Sequence, residues 1–511
     1  MEVEEWVLDE EVPLHEALAQ DLKRQGPAAM RAFRTAMKEG VQPLHSVKLC
    51  LVGHARAGKT STLRSLSGRD FNPKQQSTHG ILPDVDHVEL WTPGKPGSEI
   101  NGAWQELSEG LGSVAKLLEE KVAITVADTM KAQASLAAEL QDASPATSVK
   151  GRSTGDALAE DTVLMIQRAI SGEALAKRAE EVVVQTWDFA GQEMYYNMAH
   201  VFLTALGIYV LVLDLSAWLH ATPVEKVESM DFWLAALLVH AKDAWLVIVG
   251  SHADAIEESM RQEVYDRLAF LTYSREVEFA RNQEDGLLFF PVDNQQNTPE
   301  SLRSIQHLRR EVSALASKVA QELGTIPTRW AHFFHRLEGL HEPCIALDRC
   351  CALAAELDMD GQQLELFLGL FHRLGQLLYF KGSPAVVLTP QWLLDAMAQV
   401  MACPAVLKTD PFRSKALRQE GLLQKDLLEV LWRDPKFQGQ QRVLQSFLEH
   451  FDLLIPKGED GWRVPSLLPR RPEKMIPLDA PVCVLLDFKG AFRRLLSTLI
   501  PRLLCQLEKR P

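Results

Sequence analysis

A loop near the amino terminus contains the residue types that bind a chain of phosphates. The apolar run 49–52 leads into Gly-His-Ala-Arg-Ala-Gly-Lys-Thr at 53–60, and a helix-compatible stretch follows. Its two glycines let backbone N–H groups face phosphate, Lys59 supplies positive charge to the β- and γ-phosphates, and Thr60 offers a hydroxyl to Mg²⁺. We therefore predict a nucleotide site whose loop residues are Gly53, His54, Ala55, Arg56, Ala57, Gly58, Lys59, Thr60 and Ser61.

A second set of candidate residues follows a strand-like run at 182–187. Asp188 can reach Mg²⁺ through water, Gly191 lets a backbone N–H approach a γ-phosphate, and Gln192 is placed to orient an attacking water. Thr78 lies in a polar loop where a hydroxyl can sense both the γ-phosphate and Mg²⁺. The residues that we predict to be catalytic are Lys59, Thr78 and Gln192, and those predicted to bind the metal are Thr60, Thr78 and Asp188.

A third motif indicates which base is bound. The apolar run 245–250 leads into Ser-His-Ala-Asp at 251–254. The Asp254 carboxylate can accept two hydrogen bonds from N1–H and the exocyclic amine of guanine, a donor pair that adenine lacks. We predict that His252 and Asp254 contact a guanine nucleotide, GTP or GDP. The loop 293–295 is a less specific base-contacting turn.

The elements that position these residues are strands alternating with helices. The continuous apolar runs 208–215 and 245–250 flank an amphipathic helix at 224–240, which is typical of a parallel sheet covered on both faces. Further strands are predicted at 85–90, 182–187 and 287–292, and a closing helix at 299–323. The predicted fold class is α/β, with a P-loop, doubly wound, mostly parallel sheet.

Two segments stand apart from this sheet. Residues 1–45 read as a helical lead-in without evident chemistry. Residues 92–180 read as a helical insert with helix-like patterns at 103–141 and 155–180, separated by a linker-like stretch. The insert could pack on the core or on a partner, or be a passenger.

Composition limits the class of protein. The net charge of −14 over 511 residues argues against nucleic-acid binding, which needs clustered Lys and Arg. No apolar run approaches the length of a transmembrane helix, and the acidic amino terminus is unlike a signal peptide. The seven cysteines show no Cys-x-x-Cys spacing and are typical of reduced thiols. We expect a cytoplasmic protein without a transmembrane segment.

Taken together, the motifs resemble those of a known family. The loop 53–60, Thr78 before Gly-Ile, Trp-Asp-Phe-Ala-Gly-Gln at 187–192 and His-x-Asp at 252–254 resemble the Ras-like Roc GTPase domain of Roco proteins. This resemblance implies Mg²⁺-dependent binding and hydrolysis of GTP, acting as a nucleotide-state switch in intracellular signalling.

The carboxyl-terminal half resembles the COR module that follows Roc domains. The resemblance rests on 326–330, 374–380, 386–394 and 464–469. Read from its residues, this half alternates amphipathic helices with short strands in a winged-helix-like, α+β pattern, which we interpret as a protein-interaction surface. Tryptophans with a predicted packing role are Trp330, Trp392, Trp432 and Trp462. The resemblance implies a possible homodimer through COR, with unknown protein effectors.

These readings divide the chain into four predicted segments. They are a lead-in at 1–45, a Roc-type domain at 46–323 with its insert at 92–180, a COR-type module at 324–476, and an incomplete start of a second COR subdomain at 477–511.

Departures from the family pattern leave an alternative function open. Ras-like GTPases generally carry Asn-Lys-x-Asp, from which the chain departs at Ser251 and His252, and Ala55 stands where many have glycine. Arg56 is a possible in-chain arginine donor or an ordinary exposed loop residue. The alternative is a nucleotide-binding scaffold without useful turnover that recruits signalling partners. A P-loop ATPase is disfavoured by Asp254.

Overall fold

The structure is a computed structural model of the 511-residue chain. It describes residues 26–38, 40–44, 46–75, 81–91, 105–107, 182–189, 191, 198, 201–204, 206–222, 233–237, 239–241, 244–272, 278–402, 414–458 and 461–467. The predictions for Thr78 and Gln192, for most of the 92–180 insert and for the 477–511 segment lie outside the described residues.

The amino-terminal elements alternate between strands and helices. In chain order they are α1 (Pro27–Lys38), β1 (Val41–Pro43), β2 (Ser46–Val52), α2 (Lys59–Leu66), β3 (Ile81–Trp91), β4 (Gln105–Leu107), β5 (Val182–Phe189), β6 (Ile208–Asp214), α3 (Leu215–His220), β7 (Trp245–Ser251), α4 (Glu258–Thr272), β8 (Glu278–Phe279), β9 (Phe290–Pro291) and α5 (Pro299–Leu323).

Strands β2 to β9 form one eight-stranded sheet. Its order is β4-β3-β5-β2-β6-β7-β8, and β9 also pairs with β7. Strands β5, β2, β6 and β7 are mutually parallel, whereas β3 is antiparallel to both β4 and β5. The predicted doubly wound, mostly parallel α/β sheet is confirmed. The carboxyl ends of β2, β5, β6 and β7 consequently meet at one edge.

The central strands are buried on both faces, as their uninterrupted apolar runs predict. In β2, Cys50 and Val52 join one hydrophobic cluster, whereas Leu49 and Leu51 join another. Strands β6 and β7 divide their residues between the same two clusters. Because successive strand residues point to opposite faces, the alternation shows that both faces are covered.

Two predicted elements differ from the structure. Residues 105–107, expected at the start of a helix, form β4 and pair with 88–90 of β3. The open edge of β3 offers backbone hydrogen-bonding groups that outweigh local helix propensity. The predicted strand 287–292 shortens to Phe290–Pro291, because Leu287 instead bridges to Asn282 in a turn.

The carboxyl-terminal half begins directly after α5. Its elements are β10 (Thr325–Pro327), α6 (Thr328–Glu338), β11 (Cys344–Ala346), α7 (Leu347–Ala355), α8 (Gly361–Arg373), β12 (Ala385–Val387), α9 (Pro390–Ala402), α10 (Lys415–Glu420), β13 (Leu422–Gln424), α11 (Lys425–Leu431), α12 (Gln441–His450), β14 (Ile455–Pro456) and β15 (Gly461–Arg463).

The last of these elements have the winged-helix-like arrangement expected from the sequence. Helices α10, α11 and α12 are followed by β14 and β15, and the antiparallel sheet has the order β13-β15-β14. The predicted packing role of the tryptophans is confirmed, since all four are buried: Trp330, Trp392, Trp432 and Trp462.

The lead-in is integrated into the carboxyl-terminal half. Strand β1 pairs antiparallel with β10, and Phe33 of α1 packs edge-on against Trp330 at 5.8 Å between ring centroids. Gln363 of α8 donates a hydrogen bond to the Ala32 carbonyl. The segment before the phosphate loop therefore belongs to a packed core, which its helical periodicity alone did not predict.

The turn after α8 docks on the amino-terminal half of β2. Gln376 donates to the Ser46 hydroxyl at 3.1 Å and bonds the Gln185 amide at 2.8 Å, and all three side chains are buried. Lys48 lies beside Gly375 in the same turn. The strand that leads to the phosphate loop is thus covered at its other end by the carboxyl-terminal half.

Within the part of the chain that the structure describes, none of the helices combines the length and apolar character needed to cross a membrane.

Candidate functional site

The phosphate loop connects β2 to α2 at the carboxyl edge of the sheet. Both of its glycines adopt positive φ, 141° at Gly53 and 81° at Gly58, where side-chain-bearing residues are disfavoured. Arg56, also at positive φ, is exposed at the tip together with Ala55. The strand before the loop and the helix after it provide the context that the motif requires.

Lys59 opens α2 and turns back over the loop. Its Nζ donates to the carbonyls of Gly53 at 3.1 Å and His54 at 2.6 Å, and the side chain is buried. Burial lowers the pKa of Lys59 to about 8, and the Asp188 carboxylate opposes that shift. The amine is held by two carbonyl acceptors of the phosphate loop itself.

Thr60 and Asp188 meet although 128 positions separate them. The Thr60 hydroxyl donates a hydrogen bond to the Asp188 carboxylate. Asp188 is positioned by the parallel pairing of β5 with β2, in which it lies opposite Leu51. The structure therefore brings together the oxygen ligands at Thr60 and Asp188 that the sequence predicted for Mg²⁺.

Gly191 lies directly against the phosphate loop. A Cβ atom at this position would overlap the backbone of His54 and Ala55. Only glycine allows the chain after β5 to approach the loop this closely. The Asp-x-x-Gly segment and the phosphate loop form one surface.

Ser251 ends β7 and joins the predicted base-recognition segment to the phosphate loop. Its hydroxyl is fully buried and lies 2.8 Å from the Ala57 carbonyl and 3.1 Å from the Leu213 carbonyl. The sequence identified Ser251 only as a departure from the usual asparagine. The structure shows that it links β7 to both the loop and β6.

His252 and Asp254 follow in a short turn. His252 adopts the left-handed conformation, with φ 54°, and precedes the 3₁₀ turn Ala253–Ala255. The Ala253 N–H donates to the Val292 carbonyl at 3.2 Å, which fixes this turn on the strand β9 exit. The Asp254 side chain is exposed beside it. Asp254 is thus available to a base, and its predicted contact with guanine stays a prediction.

Asp214 belongs to this site and was missed by sequence reasoning. Its carboxylate lies 3.2 Å from His252 Nδ1 and caps α3 by accepting from the Ala217 N–H at 3.1 Å. Burial favours a higher pKa for Asp214, but hydrogen bonds from His252, Ser216 and Ala217 outweigh it and lower the pKa to about 2. An acidic residue at the carboxyl end of a central strand was the available signal.

The predicted base-contacting turn 293–295 has a different role at Asn294. Its amide donates to Thr62 at 3.1 Å and accepts from Ser65 at 3.0 Å, so it faces α2 rather than solvent. Asn294 is buried because both partners lie on the inner face of that helix.

The donor set at this edge suits a nucleotide carrying Mg²⁺. A backbone loop that only glycine can form, a buried lysine and a paired hydroxyl and carboxylate are the groups that bind phosphate and a hard, oxygen-seeking cation. A bound Mg²⁺ would neutralise phosphate charge, held by Thr60 and Asp188. Of the sequence-predicted residues, Thr78 and Gln192 are outside the described ranges.

Two protein families match the chain. The family described as "Ras of Complex, Roc, domain of DAPkinase" matches residues 152–254, and the one described as "C-terminal of Roc, COR-A domain" matches residues 327–468. The first match contains Asp188, His252 and Asp254, and the phosphate loop precedes it.

Curated relatives show the same region in much longer proteins. The probable serine/threonine-protein kinases pats1 and roco5 of Dictyostelium discoideum are 26% and 22% identical over 58% and 54% of this chain. Leucine-rich repeat serine/threonine-protein kinase 1 of Mus musculus is 23% identical over 60% of it. The matched region spans only 9% of each Dictyostelium protein and 16% of the mouse protein.

A solved structure shares the fold. The structure of Methanosarcina barkeri Roco2 RocCORdC bound to GDP covers 84% of this chain and 98% of that chain, with a TM-score of 0.51 and 16% identity. At this identity the likeness concerns architecture alone, and it extends across the sheet and the carboxyl-terminal half together.

Proposed function

We propose that this chain, which belongs to the Roco family and has a Roc-type sheet followed by a COR-type module, binds guanine nucleotide with Mg²⁺ and hydrolyses GTP. The observation that carries the proposal is the convergence of Lys59, Thr60, Asp188 and Gly191 at one sheet edge. These residues come from two distant stretches of sequence, so their meeting is not a consequence of one local motif.

Guanine is the proposed base. The related Roco2 structure is bound to GDP, which supports a guanine nucleotide for this chain. The exposed Asp254 carboxylate can accept both donors of guanine. Ser251 and Ala253 hold its turn against the phosphate loop and the β9 exit.

The proposed roles follow from this arrangement. The loop N–H groups and Lys59 bind phosphates, while Thr60 and Asp188 would hold Mg²⁺ together with the predicted Thr78. Gln192, predicted from the sequence, would orient the attacking water. Ras-type hydrolysis is slow unassisted, and an arginine from a partner raises the rate by about 10³ to 10⁵.

We also propose that the nucleotide state acts on the COR-type module, as in a switch. Strand β2 carries the phosphate loop at one end and contacts Gln376 at the other. Strand β5 likewise carries Asp188 near its carboxyl end and contacts Gln376 through Gln185. Displacement of either strand by nucleotide would change the contacts of Gln376 in the turn after α8.

A second candidate function is a nucleotide-binding scaffold without useful turnover. The specific observation that favours it is Ala55, which is exposed in the phosphate loop with its backbone against Gly191. We infer that its methyl group, at a position where many small GTPases have glycine, hinders the positioning of an attacking water. A homodimer through the COR-type module and effector proteins are compatible with either function.

Nucleotide titration separates the functions. Fluorescent GDP, GTP and ATP would be titrated with Mg²⁺ into the full chain, and phosphate release would then be followed for wild type, Lys59→Ala and Gln192→Leu. Lys74→Ala is the matched control, since Lys74 is an exposed lysine beyond α2.

We expect guanine preference, slow phosphate release, and loss of release in both site variants but not in the control. Phosphate release that survives Lys59→Ala would contradict the site assignment. GTP binding without release would support the scaffold, and ATP preference would contradict the guanine assignment.

A further inference from the structure

Asp214 and His252 are brought together by the register of two central strands. Asp214 ends β6 and lies opposite Ser251, the last residue of β7. The next residue, His252, turns its ring back so that Nδ1 lies 3.2 Å from Asp214 Oδ1 and 3.1 Å from Ser251 Oγ. The imidazole therefore spans the ends of both strands.

The hydrogen bonds assign the proton on this ring. The Ser251 hydroxyl lies within hydrogen-bond distance of two carbonyls, Ala57 and Leu213, which can only accept. Its proton is committed to them, so Ser251 Oγ can only accept from His252. Asp214 also accepts. Nδ1 therefore carries a proton in either charge state, and the proton that titrates is on Nε2.

Three carboxylates contribute negative charge near the imidazole. They are Asp214 at the end of β6, Asp254 in the same turn and Asp293 after β9. The hydrogen bond to Asp214 raises the pKa of His252, burial opposes this shift, and the three negative charges add to the increase. Helix α3, which packs on the turn, contributes His220 at its far end.

We propose that Asp214 is a positioning residue of the nucleotide site, which holds the base-recognition turn 251–254 through a charged pair with His252 and holds it less tightly when Nε2 loses its proton, because the Nδ1 hydrogen bond then remains without the positive charge. The inference rests on the proposed guanine-nucleotide function and adds a regulation to the same site. Asp254, two residues after His252, is the group that the pair positions.

The sign follows from the direction of the shift. A histidine whose pKa is raised by a partner contributes its stabilisation at low pH, and the contribution is lost as pH rises through the raised pKa. Bound guanine nucleotide should therefore dissociate faster at about pH 8 than at about pH 6.

Two variants remove the charged pair while preserving the backbone. Asp214→Asn keeps the cap of α3, since Asn and Asp cap helices equally well. His252→Asn keeps an N–H donor, and asparagine tolerates the left-handed conformation. His220→Asn is the matched control, an exposed histidine on the neighbouring helix.

The test is the rate of dissociation of fluorescent GDP from the full chain between about pH 6 and about pH 8. We expect the rate to rise with pH in wild type and His220→Asn and to rise less steeply in the other two variants, because Lys59, whose pKa is lowered by burial to about 8, titrates in all four proteins. Lys59 is present in every protein compared, so the difference between profiles reports the pair. The histidine NMR signal of His252 should titrate at lower pH in Asp214→Asn.

Parallel pH profiles for wild type and His252→Asn, with GDP bound in both, would overturn this inference alone. A His252 signal that titrates identically in Asp214→Asn would also overturn it. Absence of GDP binding at every pH would overturn the proposed function and, with it, the regulation that depends on it.

Discussion

Two buried lysines at opposite ends of one strand-loop unit perform different work. Lys59 follows the phosphate loop, and Lys48 lies in the first half of β2, beneath the turn that contains Gly375. Both are almost inaccessible to solvent, 6% and 3% exposed. Burial disfavours a charged amine in both cases. The two lysines therefore differ in the groups that contact each amine.

Lys59 lies near the Asp188 carboxylate, at the carboxyl edge of the sheet. Its charge is supported by Asp188, and the carbonyls that it contacts belong to the loop itself. A positive charge at a glycine-containing loop before a helix amino terminus favours an anion. This end of β2 suits a ligand that binds reversibly.

Lys48 contacts neutral groups that belong to the fold. Its Nζ donates to the Phe202 carbonyl at 2.8 Å and lies 4.2 Å from the centroid of the Trp187 ring. Burial lowers the pKa of Lys48, and the Cys50 thiol opposes the shift slightly. This end of β2 ties the segment after Gly191 to the COR-type module.

The difference fits the proposed ligand site at one end of β2 and a junction with the COR-type module at the other. We therefore expect changes near Lys59 to reduce nucleotide affinity with little effect on stability. Changes around Lys48 should reduce stability, with a smaller effect on nucleotide affinity.

Gly191→Ala should produce the largest effect on affinity. The added Cβ would overlap the backbone of His54 and Ala55, which cannot move aside as a flexible side chain could. We expect GDP affinity to fall by more than about tenfold, or 1.4 kcal/mol, measured by fluorescence titration. Gly361→Ala is the control, because nothing lies within 4 Å of its Cβ position. Unchanged affinity in Gly191→Ala would show that the two loops need not touch.

Gln376→Leu should have its main effect on stability. It would leave the buried side chains of Gln185 and Ser46 without this partner. We expect the free energy of unfolding to fall by about 1–3 kcal/mol, with a smaller change in GDP affinity because the proposed coupling through β2 and β5 is reciprocal, measured by urea denaturation and titration. Gln262→Leu, in an exposed part of α4, should be neutral. A loss of binding free energy larger than the loss in free energy of unfolding would contradict the distinction between the two ends of β2.

Gly375→Ala compared with Gly382→Ala isolates the contact with Lys48. Both glycines have positive φ, 74° and 88°, so both variants incur backbone strain of about 1–2 kcal/mol. Only at Gly375 would the Cβ lie 2.8 Å from Lys48 Cδ and Nζ, which the hydrogen bond to Phe202 restrains. We expect Gly375→Ala to lose about 1 kcal/mol more in denaturation. Equal losses in free energy of unfolding would mean that the Lys48 side chain moves away from the added Cβ.

Lys48→Met should reveal the burial of the amine through pH. The unfolded chain keeps Lys48 protonated to near its ordinary pKa of 10.5, whereas burial lowers the pKa in the fold. The folded state therefore binds fewer protons, and wild type gains stability relative to the variant as pH rises. We expect the stability difference between wild type and the variant to grow in favour of wild type as pH rises toward the ordinary lysine pKa, measured by urea denaturation at several pH values. A difference independent of pH would mean that Lys48 titrates normally.

The two ends also differ in how far the sequence predicts them. The loop 53–60 and Asp188 are recognisable because phosphate chemistry requires fixed residue types at fixed spacing. The buried central strands followed from their continuous apolar runs. The position of Asp254 after the end of β7 likewise followed from the apolar run 245–250.

The junction could not be predicted, because its contacts join positions far apart in sequence. Gln376 and Gln185 are separated by 191 residues, and glutamine has no distinctive pattern. Lys48 gave one signal, a lysine inside an otherwise apolar strand, but its acceptors at Phe202 and Thr204 depend on the tertiary fold. Asp214 likewise becomes part of the site only through the register of β6 with β7.

The most direct test of a guanine site at this edge is exchange of base specificity at Asp254. The carboxylate accepts from the exocyclic amine of guanine, whereas xanthine has a carbonyl oxygen there and requires a donor such as asparagine. Affinities of GDP and xanthosine diphosphate would be measured for wild type and Asp254→Asn. We predict that wild type prefers GDP and that the variant prefers xanthosine diphosphate. A variant with unchanged preference for GDP would contradict the assignment.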